Sequence, residues 1–375
     1  MAQALEDLAI VDFSRVLAGP LATMVLADLG ATVVKVERPG VGDDTRAWGP
    51  PFDERGDATY FQAVNRNKSS EAIDLTTPEG AARARALVAS ADVVVENFRP
   101  GVMDRLGLDW PTLSAADPKL VYCSITGFGA GAGAALPGYD LLVQALGGLM
   151  SITGEADAEP QKAGVALVDV ITGLFAAVGV LAAVRHRDRT GEGQRVEVDL
   201  LSSLLAALVN QGSAYTLAGA VAGRMGNAHP SIAPYELFPT ADGDLVLAVG
   251  NDKQFAALCE AVGTPELARD ERFATNGARV AHRGALRDAL VARLAGRDAA
   301  AWVAALSPVG VPAGQVNDIA GAFALAEALG LDPIVELPRV DGSLARLTRN
   351  PITLSATPAT YRSAPPPLES PTLLA

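Results

Sequence analysis

Four short runs rich in β-branched residues, Leu8–Phe13, Thr32–Glu37, Asp92–Glu96 and Leu120–Thr126, punctuate the opening part of this 375-residue chain. Stretches with helical character, Gly19–Leu29 and Pro78–Ser90 among them, separate these runs. Strand, helix and strand in this rhythm predict βαβ units around a mostly parallel sheet, because two parallel neighbours need a crossover long enough to carry a helix. Local signals agree. Pro78 followed by Glu79 suits a helix start, and Gly30 and Gly107 stand where helices should stop.

Beyond the fourth run, Gly127–Gly138 (GFGAGAGAALPG) has no apolar period and must be a loop. Helical patterns follow at Asp140–Met150 and Val165–Arg187, then a turn at Arg189–Gly193, a strand at Gln194–Val198 and a long helix from Leu200 to about Ala218. From about Arg224 the texture changes to a Gly/Pro/Asn stretch, a strand at Asp244–Val249 and short Ala-rich helices. The expected organisation is a large domain over 1–205, a linker helix over 206–223 and a smaller domain over 224–330. A tail, 331–375, is expected to return across the first domain and end in a Pro-rich arm. Val165–Val184 is long enough to span a bilayer, but it carries Asp169 and many Ala and Gly residues, which reads as a buried core helix.

Composition excludes several functions. A net charge of −13 without any run of five Lys/Arg argues against nucleic acid as a partner. Cys123 and Cys259 lie among apolar residues and read as free thiols of a reducing compartment. The acidic start Met-Ala-Gln-Ala-Leu-Glu-Asp lacks the pattern of a secretory signal, so a cytoplasmic protein with no membrane partner is expected. The three histidines, His186, His229 and His282, are scattered, with no metal-ligand spacing, and no G-x-S-x-G elbow occurs. A dinucleotide fingerprint fails too, since Arg15–Leu21 supplies Gly19 alone, even though Glu37 ends the second strand near the position of a ribose-binding acid. With so little histidine, nucleophilic chemistry would rest on carboxylates.

The acid that stands out is Asp140, where the glycine-rich loop meets an apolar helix. Two readings fit it: a helix cap, or a nucleophile whose ionised form a helix start would hold.

Seven segments in order, Val11–Pro20, Val34–Pro39, Asn65–Ser70, Val95–Gly101, Ile125–Gly129, Pro137–Asp140 and Arg189–Gln194, are similar to the class III CoA-transferases, also called the CaiB/BaiF family. The resemblance covers nearly the whole chain. It implies an α/β fold: a split large domain with a Rossmann-like parallel sheet, a smaller α/β domain, and a ring-shaped chain in an interlocked homodimer. It also implies that Asp140 attacks an acyl-CoA thioester to give a mixed anhydride and then an aspartyl-CoA thioester. Coenzyme A would be a substrate and carrier, with carboxylic acids as partners, and with no tightly bound cofactor or metal.

By position, the resemblance places Ser14, Arg15, Val16 and Ala18 along the CoA, Arg38 at its adenine and phosphate end, and Lys68, Asn97, Phe98 and Arg105 around the rest of the cleft. Gly147 and Gly148 are candidates for oxyanion donors or for close helix packing. The racemase branch of the family has a His before its aspartate where this chain has Tyr139, and a second acid where it has Asp169. A Tyr is a poor base near neutrality, which favours transfer over racemisation and leaves Asp169 as a structural or outer acid. Residues Arg224–Pro239 and Val249–Phe255 look like the succinate–hydroxymethylglutarate branch, so Arg224 and His229 would hold a distal carboxylate or form hinge contacts. The rival expectations are an α-methylacyl-CoA racemase and a non-catalytic CoA-binding protein.

Overall fold

The computed structural model describes residues 3–370; Met1, Ala2 and the last five residues of the expected tail lie outside the described residues. The chain divides into two compact units. The first comprises the described parts of Met1–Leu149, Lys162–Ala220 and Asp332–Ala375, and the second Met150–Gln161 and Val221–Leu331.

The first unit is built on six strands: β1 (Ala9–Asp12), β2 (Thr32–Glu37), β3 (Lys68–Ala72), β4 (Val93–Glu96), β5 (Val121–Thr126) and β6 (Arg195–Asp199). They pair in the order β3-β2-β1-β4-β5-β6, every pair parallel. Alternate side chains feed opposite faces. Ile10, Val33, Val93, Val95, Val121 and Cys123 join one core, and Val11, Val36, Val94 and Tyr122 the other. Two faces covered by helices explain why the strands read as apolar runs rather than alternating ones.

Among the described residues, ten α-helices lie along the chain up to Ala218, α7 falling mostly in the second unit: α1 (Ala18–Asp28), α2 (Thr59–Ala63), α3 (Pro78–Val88), α4 (Val102–Leu106), α5 (Trp110–Ala116), α6 (Asp140–Leu146), α7 (Leu149–Ile152), α8 (Leu167–Thr190), α9 (Leu200–Ala207) and α10 (Val209–Ala218). The start of α3 obeys its local signals, with Thr77 accepting from the Gly80 N–H and Pro78 in the first turn. Gly107 ends α4 with φ of 63°. The apolar α8 is long enough to cross a membrane, and it buries Val168, Thr172, Gly173, Ala176, Ala177, Val180 and Ala183 within the first unit. Gly173 is required there: a Cβ would stand 2.5 Å from the Ala18 carbonyl oxygen of α1. Buried Cys123 and Cys259 are both free thiols, and burial pushes Cys123 up to about 12.

Three boundaries differ from expectation. The long helix from Leu200 is two helices, broken where Val209 takes φ of 37°, and the expected linker over 206–223 belongs up to Ala220 with the first unit. Residues 150–161 join the second unit, because Arg224 donates to the carbonyls of Glu155, Ala156 and Ala158 and Gly226 N–H donates to Gly154. The second unit carries an antiparallel sheet of β7 (Tyr235–Pro239), β8 (Asp244–Ala248) and β9 (Ala313–Gln315), with helices α11 (Asp252–Ala261), α12 (Asn276–Ala281), α13 (Arg283–Leu294), α14 (Ala299–Leu306) and α15 (Ile319–Ala328). Its core includes Phe238, Leu247, Leu258, Leu290 and Trp302.

After the second unit the chain forms a hairpin of β10 (Ile334–Pro338) and β11 (Leu344–Thr348), then an extended arm. Arg362 donates to the carbonyls of Ala27, Gly30 and Ala31, and the carboxylate of Asp28 accepts from Arg66, Asn67 and Asn350. Asp28 and Arg66 are buried, so the arm is held to the first unit by a desolvated polar hub.

Candidate active site

In a parallel sheet of this order, the chain leaves β1 and β4 toward opposite faces, and the gap between their carboxyl ends is where open α/β folds bind ligands. Asn97, just past β4, closes on the turn after β1: its Oδ1 accepts from the Arg15 N–H at 2.8 Å and its Nδ2 donates to the Arg15 carbonyl at 2.7 Å. The next residue, Val16, sits at φ of 70°, a conformation strained for a β-branched side chain. Asp43 holds it there, accepting the Val16 N–H at 3.3 Å.

A buried charge network lies beneath this turn. Lys35 donates to the Ser14 carbonyl at 2.8 Å and pairs with Asp43 at 2.9 Å, all without solvent contact. Burial alone would lower Lys35, but the carboxylates of Asp43, Asp12 and Glu37 hold it above its ordinary value. Lys68, also wholly buried, donates to Asp12, Asn65 and the Pro20 carbonyl, and burial pulls it down to about 8. Ser14 is equally buried and bonds Asp12. Ser14 and Lys68, expected along the cleft, are therefore set under it, because each satisfies a buried carboxylate. Glu37 is likewise committed, to Arg46, Ser70 and the Asp43 N–H, so it has no role as a ribose acid.

Two cavities meet at the turn. The outer one, of about 530 Å³, is lined by Arg38, Arg105, Val36 and Leu75, and the inner one, of about 230 Å³, by Val16, Ala18, Asn97, Tyr139, Asp140 and Asp169. Arg15 and Phe98 border both, with the guanidinium 4.9 Å from the ring centre. Arg15 and Arg38 converge on Asp44 at the rim, at 3.5 and 2.5 Å. Exposed pairs of this kind are weak and readily exchanged for a phosphate.

The glycine-rich loop delivers Asp140 to the inner cavity. Its two ends pass backbone against backbone, since a Cβ on Gly127 would meet the Gly138 Cα at 2.4 Å, so only glycine fits. Asp140 is the first residue of α6 and not its cap; Tyr139 stands at the cap and makes no side-chain bond there. The carboxylate instead serves another helix. Its Oδ1 accepts the N–H groups of Val168 at 2.8 Å and Asp169 at 3.3 Å, in the first turn of α8, whose own cap residue Ala166 has no acceptor to offer. The Oδ2 accepts from Gln144 at 2.6 Å. A carboxylate so placed faces the positive end of a 24-residue helix.

Asp169 completes an acid pair. Burial, with the Asp140 charge beside it, raises its carboxyl from the ordinary value to about 7. The folded state thus keeps a proton that the unfolded chain releases near pH 4, so Asp169 lowers stability progressively as pH rises from about 4 to about 7. Asp169→Asn removes this effect. Thermal unfolding should find the variant more stable than the parent at pH 8, by on the order of 1–4 kcal/mol, and equal to it at pH 4; an equal difference at both pH values would contradict the assignment.

Tyr60, which the sequence did not single out, stands near enough to feel the charge of both acids. Burial and the charges of Asp169 and Asp140 hold its phenol above the ordinary value, so it stays an O–H donor, and its ring packs edge-on to Trp48 at 5.4 Å. Gln144 was missed as well, although its place four residues after Asp140 put it on the same helix face.

The other candidates are placed otherwise. A Cβ on Gly147 would meet Leu204 at 2.5 Å, which marks helix packing, whereas Gly148 takes φ of 87° and has open space beside it. Tyr139 is exposed. Arg224 is committed to three backbone carbonyls of the 155–158 loop, and His229 accepts the Ser231 N–H with its ring beside Tyr235, all within the second unit. Neither residue lines the inner or the outer cavity.

The sequence pattern described as CoA-transferase family III matches residues 5–372. A succinate–glutarate CoA-transferase of Agrobacterium fabrum is 46% identical over 370 residues, covering 97% of this chain and 92% of that protein. A succinyl-CoA:glutarate CoA-transferase of Mus musculus is 44% identical over 334 residues, 89% of this chain and 76% of that one. Among solved structures, a CaiB/BaiF family protein from Brucella suis superposes with a TM-score of 0.87 at 45% identity, covering 98% of this chain and 97% of the other. A crevice at the switch point of a parallel sheet, an aspartate presented beside it and likeness along nearly the whole length agree, and the chain belongs to CoA-transferase family III.

Proposed function

We propose that this CoA-transferase moves CoA from succinyl-CoA, or another dicarboxylyl-CoA, to a dicarboxylic acid such as glutarate, with Asp140 as the nucleophile. The observation that carries the reading is the Asp140 carboxylate, lining the inner cavity and fixed by three donors without a histidine or an ammonium. The substrate class is supported by relatives named for succinate, glutarate and mesaconate.

The adenine and phosphates of CoA would occupy the outer cavity against Arg38 and Arg105. The pantetheine arm would pass the Arg15–Phe98 saddle and bring the thioester to Asp140. Arg38→Ala and Arg105→Ala should each raise KM for the acyl-CoA by on the order of tenfold, as loss of a charged hydrogen bond does, with kcat little changed. Steady-state kinetics checks this; a fall in kcat at constant KM would remove both residues from the CoA site.

In the reaction we propose, an Asp140 oxygen attacks the thioester carbonyl and CoA leaves as thiolate, giving an acyl–aspartyl anhydride. The thiolate then attacks the aspartyl Cγ, releasing the first acid and leaving an aspartyl-CoA thioester. The acceptor acid reverses the sequence. We further read the protein as a homodimer, supported by the exposed apolar side chains Leu174, Phe175 and Val178 along α8.

One observation favours a second reading. Asp169, poised at about 7 beside Asp140, could exchange an α-proton as a racemase does. The test is to mix the enzyme with succinyl-CoA and glutarate, and separately with a chiral acyl-CoA in deuterated water without acceptor. Glutaryl-CoA formation is expected; α-deuteration without transfer would replace the reading with racemisation.

A further inference from the structure

Gln144 is fully buried, yet neither of its amide atoms is idle. Its Oε1 accepts the Ala163 N–H at 2.8 Å, and its Nε2 donates to Asp140 Oδ2 at 2.6 Å. The backbone N–H can only donate, so the amide orientation is forced and its NH₂ end must face the carboxylate. Asp140 Oδ1, in contrast, faces the backbone N–H groups of Val168 and Asp169. The two carboxylate oxygens therefore stand in different surroundings, one held by helix backbone and one by a side chain.

We infer that Gln144 is a catalytic residue that assigns separate tasks to the two oxygens of Asp140, an inference that rests on Asp140 being the nucleophile. Oδ2, with a single donor, is the oxygen that attacks. It bonds the acyl carbon as the C–S bond breaks and the electron pair leaves on the CoA sulfur, and in the anhydride it is the bridging atom. Oδ1 remains the carbonyl oxygen of the aspartyl half. When the thiolate attacks Cγ, the carbonyl electron pair moves onto Oδ1 and is met there by the Val168 and Asp169 N–H groups. Collapse of this intermediate breaks the Cγ–Oδ2 bond, and Oδ2 departs in the released acid while the Gln144 N–H faces its growing charge. The acceptor's oxygen takes the vacated position on the return path. No proton and no outside reactant is needed.

A consequence follows that can be counted. Each full exchange replaces the oxygen at the Gln144 position and spares the one at the α8 position, so Asp140 should gain one heavy oxygen and no more. The enzyme is turned over many times with succinyl-CoA and succinate labelled with oxygen-18 in both carboxylates, then digested, and the peptide carrying Asp140 is weighed. A plateau at one heavy oxygen is expected in the wild-type protein. Gln144→Met, which keeps the volume and loses the donor, should let the carboxylate turn over and reach two heavy oxygens, with kcat lowered on the order of 10–100-fold and KM for succinyl-CoA unchanged. Two heavy oxygens in the wild-type protein overturn the inference, and need no folded variant to do so. A variant indistinguishable from wild type in label and kcat overturns it too. No label on Asp140 at all is a different failure, that of the nucleophile itself.

Discussion

Asp140→Ala should lower CoA transfer by on the order of 10⁴–10⁶-fold, the scale on which removal of a covalent nucleophile acts. KM for the acyl-CoA should change little, since the arginines and the saddle that would hold CoA are carried by the turns after β1, β2 and β4 and by α4, apart from Asp140. The fold should survive. Asp140 is only half-buried, and its removal leaves the Val168 and Asp169 N–H groups to water in an open cavity. Coupled assay of glutaryl-CoA formation checks the activity, and circular dichroism the fold. A variant that keeps more than about a tenth of the activity would contradict a covalent role for this carboxylate.

The largest effect on stability is expected at Asp28, far along the chain from these residues. Its carboxylate is buried and accepts from Arg66 at 2.9 and 2.6 Å, from Asn67 at 2.8 Å and from Asn350 of the arm at 3.0 Å. Asp28→Ala strips the counter-charge from a guanidinium that is itself 3% exposed. Breaking a buried pair from one side costs about 3–5 kcal/mol, because the remaining charge has no water to turn to. Urea unfolding should register a loss of that size, and proteolysis should find the arm after β11 first. A loss under about 1 kcal/mol would mean the hub is not what secures the arm.

These two residues mark the limits of what the sequence disclosed. The parallel sheet was legible because β1, β2, β4 and β5 are apolar runs with β-branched side chains, separated by helices. The third strand was not, since β3 reads Lys-Ser-Ser-Glu-Ala and looks like a loop. Its polarity is cancelled only in three dimensions, where Lys68 reaches Asp12 and Ser70 reaches Glu37. The break at Val209 carried no proline or glycine to announce it. Asp140 was visible as an acid at a loop–helix junction, but its role as the cap of α8 depends on residues 28 and 29 positions away, a relation no local pattern encodes. The expected cleft residues divide for a similar reason. Arg15, Val16, Ala18, Asn97 and Phe98 line the inner cavity, whereas Ser14 and Lys68 lie in the charge network below, which alternation along a strand alone would not predict.

That network also explains why so polar a layer is kept beneath a binding turn. Lys35, Asp43 and Asn97 together fix the backbone of Ser14 to Val16 in a conformation that a β-branched residue would not adopt alone. The strain is held by buried partners, and the turn is presented ready-made to whatever enters the crevice.

A covalent adduct on Asp140 can be caught in the act. The enzyme is mixed with succinyl-CoA alone, without an acceptor acid, and the trapped species is mapped after hydroxylamine or borohydride treatment. The peptide carrying Asp140 is expected to be modified at that residue, and Asp140→Ala not to be modified at all. Modification at Asp169 or at any other residue, or undiminished labelling of the Asp140→Ala protein, would contradict it.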